Sequence, residues 1–203
     1  SATTFEAVCW SERMPMVGWF DPGQLLDTGL KTLFSTVVGE RSDRRMIQAL
    51  AARRPEIYDY SHHYEDTERG PRPAKDRPRD ELWLDYVCDT GDGWNSTYAI
   101  AYALAQRELP LAGGPTLPRG DLLVFGGDEV YPAASREEYN RRLVLPFDTA
   151  FGDDAPAESP HVFAIPGNHD WYDGLSAFSR LFMSEIGGRW FAGWATRQTR
   201  SYF

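Results

Sequence analysis

The chain has 203 residues with 21 basic and 30 acidic side chains, a formal net charge of −9 and a pI near 4.9. That length supports one domain with a substantial core, and that charge disfavours a nucleic-acid backbone as partner. No run approaches the roughly 20 apolar residues that cross a bilayer, and the first residues lack the basic-then-apolar form of a signal peptide, so the expectation is a soluble cytoplasmic segment with no membrane part. Taken in chain order, the front reads as helical accessory structure over residues 1–64. Asp21-Pro22 supplies a cap and a first helical position, and Leu26, Leu30, Leu33, Phe34 and Val37 follow on one helical face. A second short helix fits Asp43 to Arg53, with Met46, Ile47 and Leu50 as its stripe and Pro55 as its stop. Residues 65–81 are almost all charged or proline and read as a solvated linker.

From residue 82 the pattern alternates between strand and helix. A strand over 82–88 precedes a helix from about Thr97 to Glu108, ended by Pro110. The strand Leu122 to Phe125 precedes a helix capped by Ser135 with Glu138 three residues on. The strand Val162 to Ile165 precedes a helix from about Leu175 to Glu185. Strand, loop, helix repeated in this way argues for an α/β fold with parallel strands and right-handed crossovers. Gly152 to Pro160 is an acidic surface loop, and the tryptophans Trp171, Trp190 and Trp194 serve the core and its loop anchors. Two cysteines, Cys9 and Cys88, are too few for a disulfide framework and read as reduced structural thiols, with Cys88 in a core strand. Both ends look cut: the chain opens at Ser1 without methionine and stops at Ser201-Tyr202-Phe203, the aromatic start of a strand.

Each of the three strands ends in a polar tip. These are Asp89-Thr90-Gly91-Asp92-Gly93, Gly127-Asp128-Glu129-Val130-Tyr131 and Gly167-Asn168-His169-Asp170. In an open α/β sheet, ligands bind at the carboxyl ends of the strands. Three such tips in order, strand-D-x-G, strand-G-D-x-x-Y and strand-G-N-H-D, resemble the first three motifs of the calcineurin-like metallophosphoesterases. The purple acid phosphatase type is the nearest variant, because it too has D-x-G in place of D-x-H and a tyrosine three residues after the second aspartate, here Gly91 and Tyr131. The resemblance covers roughly residues 82 to 175.

That resemblance implies the N-terminal βαβαβ half of a layered α/β/β/α sandwich, with residues 82–203 as the first part of a metallophosphoesterase domain. It also implies hydrolysis of a phosphoester, either a small molecule or a nucleotide, at a dinuclear centre of iron, manganese or zinc with a bridging hydroxide as nucleophile. Asp89 would bind the first metal, Asp128 would bridge both, Asn168 would bind the second, and Tyr131 would complete the first site as a phenolate, favouring iron. His169 would contact the phosphate and protonate the leaving oxygen, and Asp170 would fix its orientation. Asp92 would replace the missing first-motif histidine or orient Asp89; a loop-capping role is equally open to it. Tyr131, followed by Pro132, is also readable as a packed aromatic at a helix entry, and Trp171-Tyr172 as a wall of the substrate pocket.

Two other readings compete. The family completes its site with three further histidines, whereas the four histidines here are His62, His63, His161 and His169, so those ligands lie past Phe203 in a longer parent or the site is a degenerate binding scaffold. The intact early motifs favour the longer parent, with the 203-residue piece itself inactive. Asp89-Thr90-Gly91 is also the signature of an aspartic protease, but its only repeat, Asp27-Thr28-Gly29, sits inside a helical pattern. His62-His63 reads as solvent-facing, and His161 as a strand-opening residue that caps or packs.

Overall fold

The computed structural model describes residues 13–39, 57–65, 72–151, 160–183, 190–191 and 193–202. The helix expected over Asp43 to Arg53, most of the acidic loop after Gly152, and Cys9 lie outside them. Residues 13–20 form a strap that leads into helix α1 (Pro22–Gly39). Asp21 caps α1: its Oδ1 accepts the N–H of Gly23 at 2.7 Å and of Gln24 at 3.2 Å. Of the apolar row expected on α1, Leu26, Leu30 and Leu33 are exposed, and the side chains of Phe34 and Val37 lie outside the described residues. Among the described residues α1 packs near the site loops, against the short 3₁₀ helix His169–Asp173.

Strands β1 (His62–Glu65) and β2 (Arg72–Pro78) pair antiparallel, Glu65 opposite Arg72. The stretch expected as a solvated linker is therefore partly a strand. A two-stranded pair has only edges, where proline and charge are tolerated, and of the described side chains of β2 only Ala74 is buried. His62 and His63 lie in β1 and are half-buried rather than fully solvent-facing.

The α/β unit follows as β3 (Leu84–Val87), α2 (Trp94–Ala105), the hairpin β4 (Glu108–Pro110) and β5 (Thr116–Pro118), and β6 (Leu122–Phe125). Helix α2 starts at Trp94, earlier than the expected Thr97, since the Met14 carbonyl takes the Trp94 N–H and so satisfies a donor that a helix start leaves unpaired. Next come α3 (Arg136–Glu138), a π-helical stretch Tyr139–Val144, α4 (Leu145–Phe151), β7 (His161–Ala164), the 3₁₀ helix, α5 (Ser176–Phe182), β8 (Trp190–Phe191) and β9 (Trp194–Ala195). As expected, Ser135 caps α3, its Oγ accepting the Glu138 N–H at 3.1 Å. The molecule is thus mixed α/β, and no helix among the described residues is long and apolar enough to cross a membrane.

The central sheet is parallel, in the order β3-β6-β7. Leu84, Leu122 and His161 are in register at one end, and Val87, Phe125 and Ala164 at the other. Period-two alternation assigns the two faces. Leu123, Phe125, Val162 and Ala164 join the main core with Ala101 of α2, Phe147 of α4 and Phe178 and Phe182 of α5. Full burial of each such Leu or Phe contributes on the order of 1.5–3 kcal/mol. Leu122, Val124 and Phe163 point the other way, against Tyr58 and Tyr60. Strand β3 differs from the core strand expected over 82–88: Leu84 and Tyr86 are exposed, and Cys88 lies past its end, also exposed. Its apolar residues sit at an edge of the described sheet, with β6 as their only strand neighbour there.

Candidate functional site

Register brings the three polar tips together. Because Val87, Phe125 and Ala164 are laterally aligned, the residues that follow them emerge side by side at one edge of the sheet. The ladder continues into the loops, with Ile165 N–H on the Phe125 carbonyl (2.9 Å), Gly126 N–H on Val87 (2.7 Å) and Asp89 N–H on Gly127 (3.1 Å). Asp89 and Asp128 both adopt left-handed backbone, φ 54° and 53°, a region in which Asp is several-fold over-represented among non-glycine residues. Turning out of the strand direction in this way aims both carboxylates at one point.

That point is the Tyr131 hydroxyl. It donates to Asp89 Oδ1 at 2.6 Å and lies 3.4 Å from Asp128 Oδ2. Burial first, and then the two carboxylates, hold the phenol well above its ordinary pKa. Asp89 is held below the usual carboxylate range by hydrogen bonds from Cys88 and then Tyr131, and the exposed Cys88 thiol is correspondingly pushed up. The third tip is tied to the second: Asp128 Oδ1 accepts the His169 N–H at 2.8 Å. Asn168 is exposed and lies between His169 and Gly167, whose backbones both meet Asp128. A Cβ on Gly167 would fall 2.1 Å from Asp128 Oδ1, and one on Gly91, at φ +69°, would fall 2.1 Å from the Glu129 carbonyl, so both close approaches require glycine.

Asp170 does something other than orient His169. The His169 ring is fixed by its Nδ1, 2.7 Å from the Pro132 carbonyl across a cis Tyr131-Pro132 peptide. The fully buried Asp170 carboxylate instead accepts from Gly167 N–H (2.8 Å), Asp128 N–H (2.9 Å), Glu129 N–H (3.2 Å) and the Tyr139 hydroxyl (2.6 Å). Glu129 is buried beside it. One oxygen accepts the Gly127 N–H at 3.1 Å, and the other finds no hydrogen-bond partner. Burial, and then Asp170, push the Glu129 carboxyl well above the carboxylate range.

Asp92 faces away from this group. Its Oδ1 takes the Val17 N–H at 3.3 Å, and its carbonyl takes Val17 N–H at 3.2 Å and Arg142 Nη1 at 2.7 Å. It is thus a strap-holding residue in this structure. The strap brings Trp19 to the site, with its ring centroid 5.4 Å from Tyr131 and 6.0 Å from His169. Tyr172 is 5.0 Å from His169 on the 3₁₀ helix, while Trp171 packs at the main core. Glu129, Tyr139 and Trp19 are not among the residues that the sequence singles out. Glu129 is embedded in a quoted motif and could be found there; nothing local marks the other two.

Among the described residues no three His, Cys, Asp or Glu side chains converge as a metal-ligand group. The convergent set is two carboxylates and a phenol, with the amide of Asn168 in the adjoining loop. Compared with models of known families, with curated proteins and with solved structures, the chain matches none.

Proposed function

We propose that the chain carries the strand-tip portion of a metal-dependent phosphoester hydrolase, on a scaffold resembling the first half of a metallophosphoesterase sandwich. The observation that supports this reading is the shared Tyr131 hydroxyl, 2.6 Å from Asp89 and 3.4 Å from Asp128. Two carboxylates turned onto one phenol concentrate negative charge and oxygen donors in a way that suits a hard cation such as ferric iron or manganese. Asp89 and Tyr131 would hold one ion, Asp128 would lie between two, and Asn168 would reach the second. Bound metals supply a nucleophile at neutral pH and neutralise charge on the transferring phosphoryl group. The chain's own part is positional: Asp170 sets the backbone of both later tips, and Pro132 fixes the ring that would give a proton to the leaving oxygen.

The test is metal content and visible absorption after reconstitution with iron or manganese, on the wild type and on Tyr131→Phe and Asp128→Asn. A tyrosinate-to-iron band lost in Tyr131→Phe, with metal lost in Asp128→Asn, is the expected result. Metal binding that survives Tyr131→Phe without any band would remove Tyr131 from the ligand set. A protein that takes up neither metal would instead favour a binding scaffold without catalysis.

A further inference from the structure

The strap is latched rather than merely adjacent. Arg142 is buried, ion-paired with Glu138, and spends its Nη1 on two carbonyls, Pro15 at 3.0 Å and Asp92 at 2.7 Å. Val17 N–H and the Met14 carbonyl add bonds to Asp92 and Trp94, and Gly93 lies so close to Met16 that a Cβ there would meet it at 2.7 Å. The segment is therefore pinned to the loop that carries Asp89. What it delivers is Trp19, which meets both Tyr131 and His169 edge-on, at 75° and 84°, and stays 41 % exposed. A tryptophan that is held on one side by two site residues and open on the other is a wall.

We propose that Trp19 is a specificity-determining residue, the surface against which a planar, uncharged leaving group of the phosphoester packs. This rests on the phosphoesterase reading above. The argument is positional. His169 is the residue that would serve the leaving oxygen, so the group attached to that oxygen departs past whatever flanks the imidazole. Besides Tyr131, the proposed metal ligand, the rings that flank it are Trp19 and Tyr172, and neither carries a formal charge. An aryl group gains a full ring-on-ring contact there, of which a small alkyl group can make only a fraction.

The test is the affinity of the manganese-loaded chain for two non-hydrolysable probes, phenylphosphonate and methylphosphonate, measured by titration calorimetry. Phenylphosphonate should bind about five- to tenfold more tightly than methylphosphonate, as expected for one aromatic contact. Trp19→Ala should abolish that preference and leave methylphosphonate affinity unchanged, and Trp19→Phe should retain most of it. Equal affinities in the wild type would overturn the proposal while leaving the phosphoesterase reading standing. A parallel loss for both probes in Trp19→Ala would reduce Trp19 to a structural prop and overturn it too. No binding of either probe by the wild type would remove the reading and the proposal together.

Discussion

The backbone N–H of Asp128 is hydrogen-bonded to the carboxylate of Asp170 at 2.9 Å, so the residue that would bridge two metals is set in place by one that would touch neither. The same carboxylate holds Gly167 and Glu129, which makes it the clip between the second and third strand tips. Asp170→Asn replaces an acceptor oxygen by an NH₂ group facing donors and should cost about 3 kcal/mol or more in urea unfolding. A cost within about 0.5 kcal/mol of zero would show that the clip is dispensable.

Tyr139→Phe removes only the hydroxyl that donates to Asp170 at 2.6 Å. A hydrogen bond to a charged group is involved, so the expected loss is about 1.5–3 kcal/mol. Coupling should be visible in a double-mutant cycle: once Asp170 is Asn, the Tyr139→Phe step should cost much less than it does alone.

Glu129 gives a pH-dependent prediction whose sign is fixed. Its folded-state pKa is raised, so what it contributes is present at acid pH and is lost as pH climbs through the folded value. Glu129→Gln keeps an acceptor for Gly127 and offers Asp170 a donor that never ionises. Relative to wild type, the variant should gain stability steadily as pH rises, in denaturant midpoints taken from mildly acid to alkaline pH; parallel curves would refute a raised Glu129 pKa.

His161 works in the opposite direction. Burial, then Arg197 and Arg79, lower its pKa from 6.5 to about 4, and its Nδ1 faces the Tyr60 hydroxyl at 2.8 Å. The unfolded chain takes up a proton that the folded chain refuses, so stability is complete above about pH 6.5 and falls by up to about 3 kcal/mol towards pH 4. His161→Phe should be less stable at neutral pH, through the lost Tyr60 bond, yet show a flatter acid limb in thermal melts.

Gly91→Ala places a methyl group 2.1 Å from the Glu129 carbonyl at a backbone φ of +69°. Both the contact and the conformation oppose it, with a cost of about 2 kcal/mol or more. Asp89 and Tyr131 flank this contact, so the tyrosinate-to-iron band expected of the proposed site should shift or vanish in this variant even where it still folds by circular dichroism.

The strand tips are legible in the sequence because short apolar runs ending in Gly, Asp and Asn carry both their period and their stop within a few residues. Ser135 and Asp21 are readable as caps for the same reason. The β2 strand is not legible: its charges and prolines suit a two-stranded pair with only edges, and composition alone cannot separate that from a loop. Cys88 and Leu84 mislead because apolarity indicates burial, and at an edge strand that inference fails. Trp19 and Tyr139 are hidden for a different reason. Their meaning lies in partners far away in the chain, Tyr131 and Asp170, and no local pattern encodes a distant partner.

The side of β7 away from β6 is met by the segment 196–198 through both backbone and side chain. Gln198 Oε1 takes the Ala164 N–H at 2.6 Å and its Nε2 gives to the Ala164 carbonyl at 2.7 Å, while Thr196 bridges to Val162. The backbone pairing at Val162, where Arg197 N–H meets the carbonyl at 3.2 Å, is thus carried two residues further along β7 by a glutamine amide that reproduces a strand's donor and acceptor. Among the described residues the sheet therefore does not stop at β7 as bare backbone: the segment 196–198 runs along it, pairing at Val162 and Ala164.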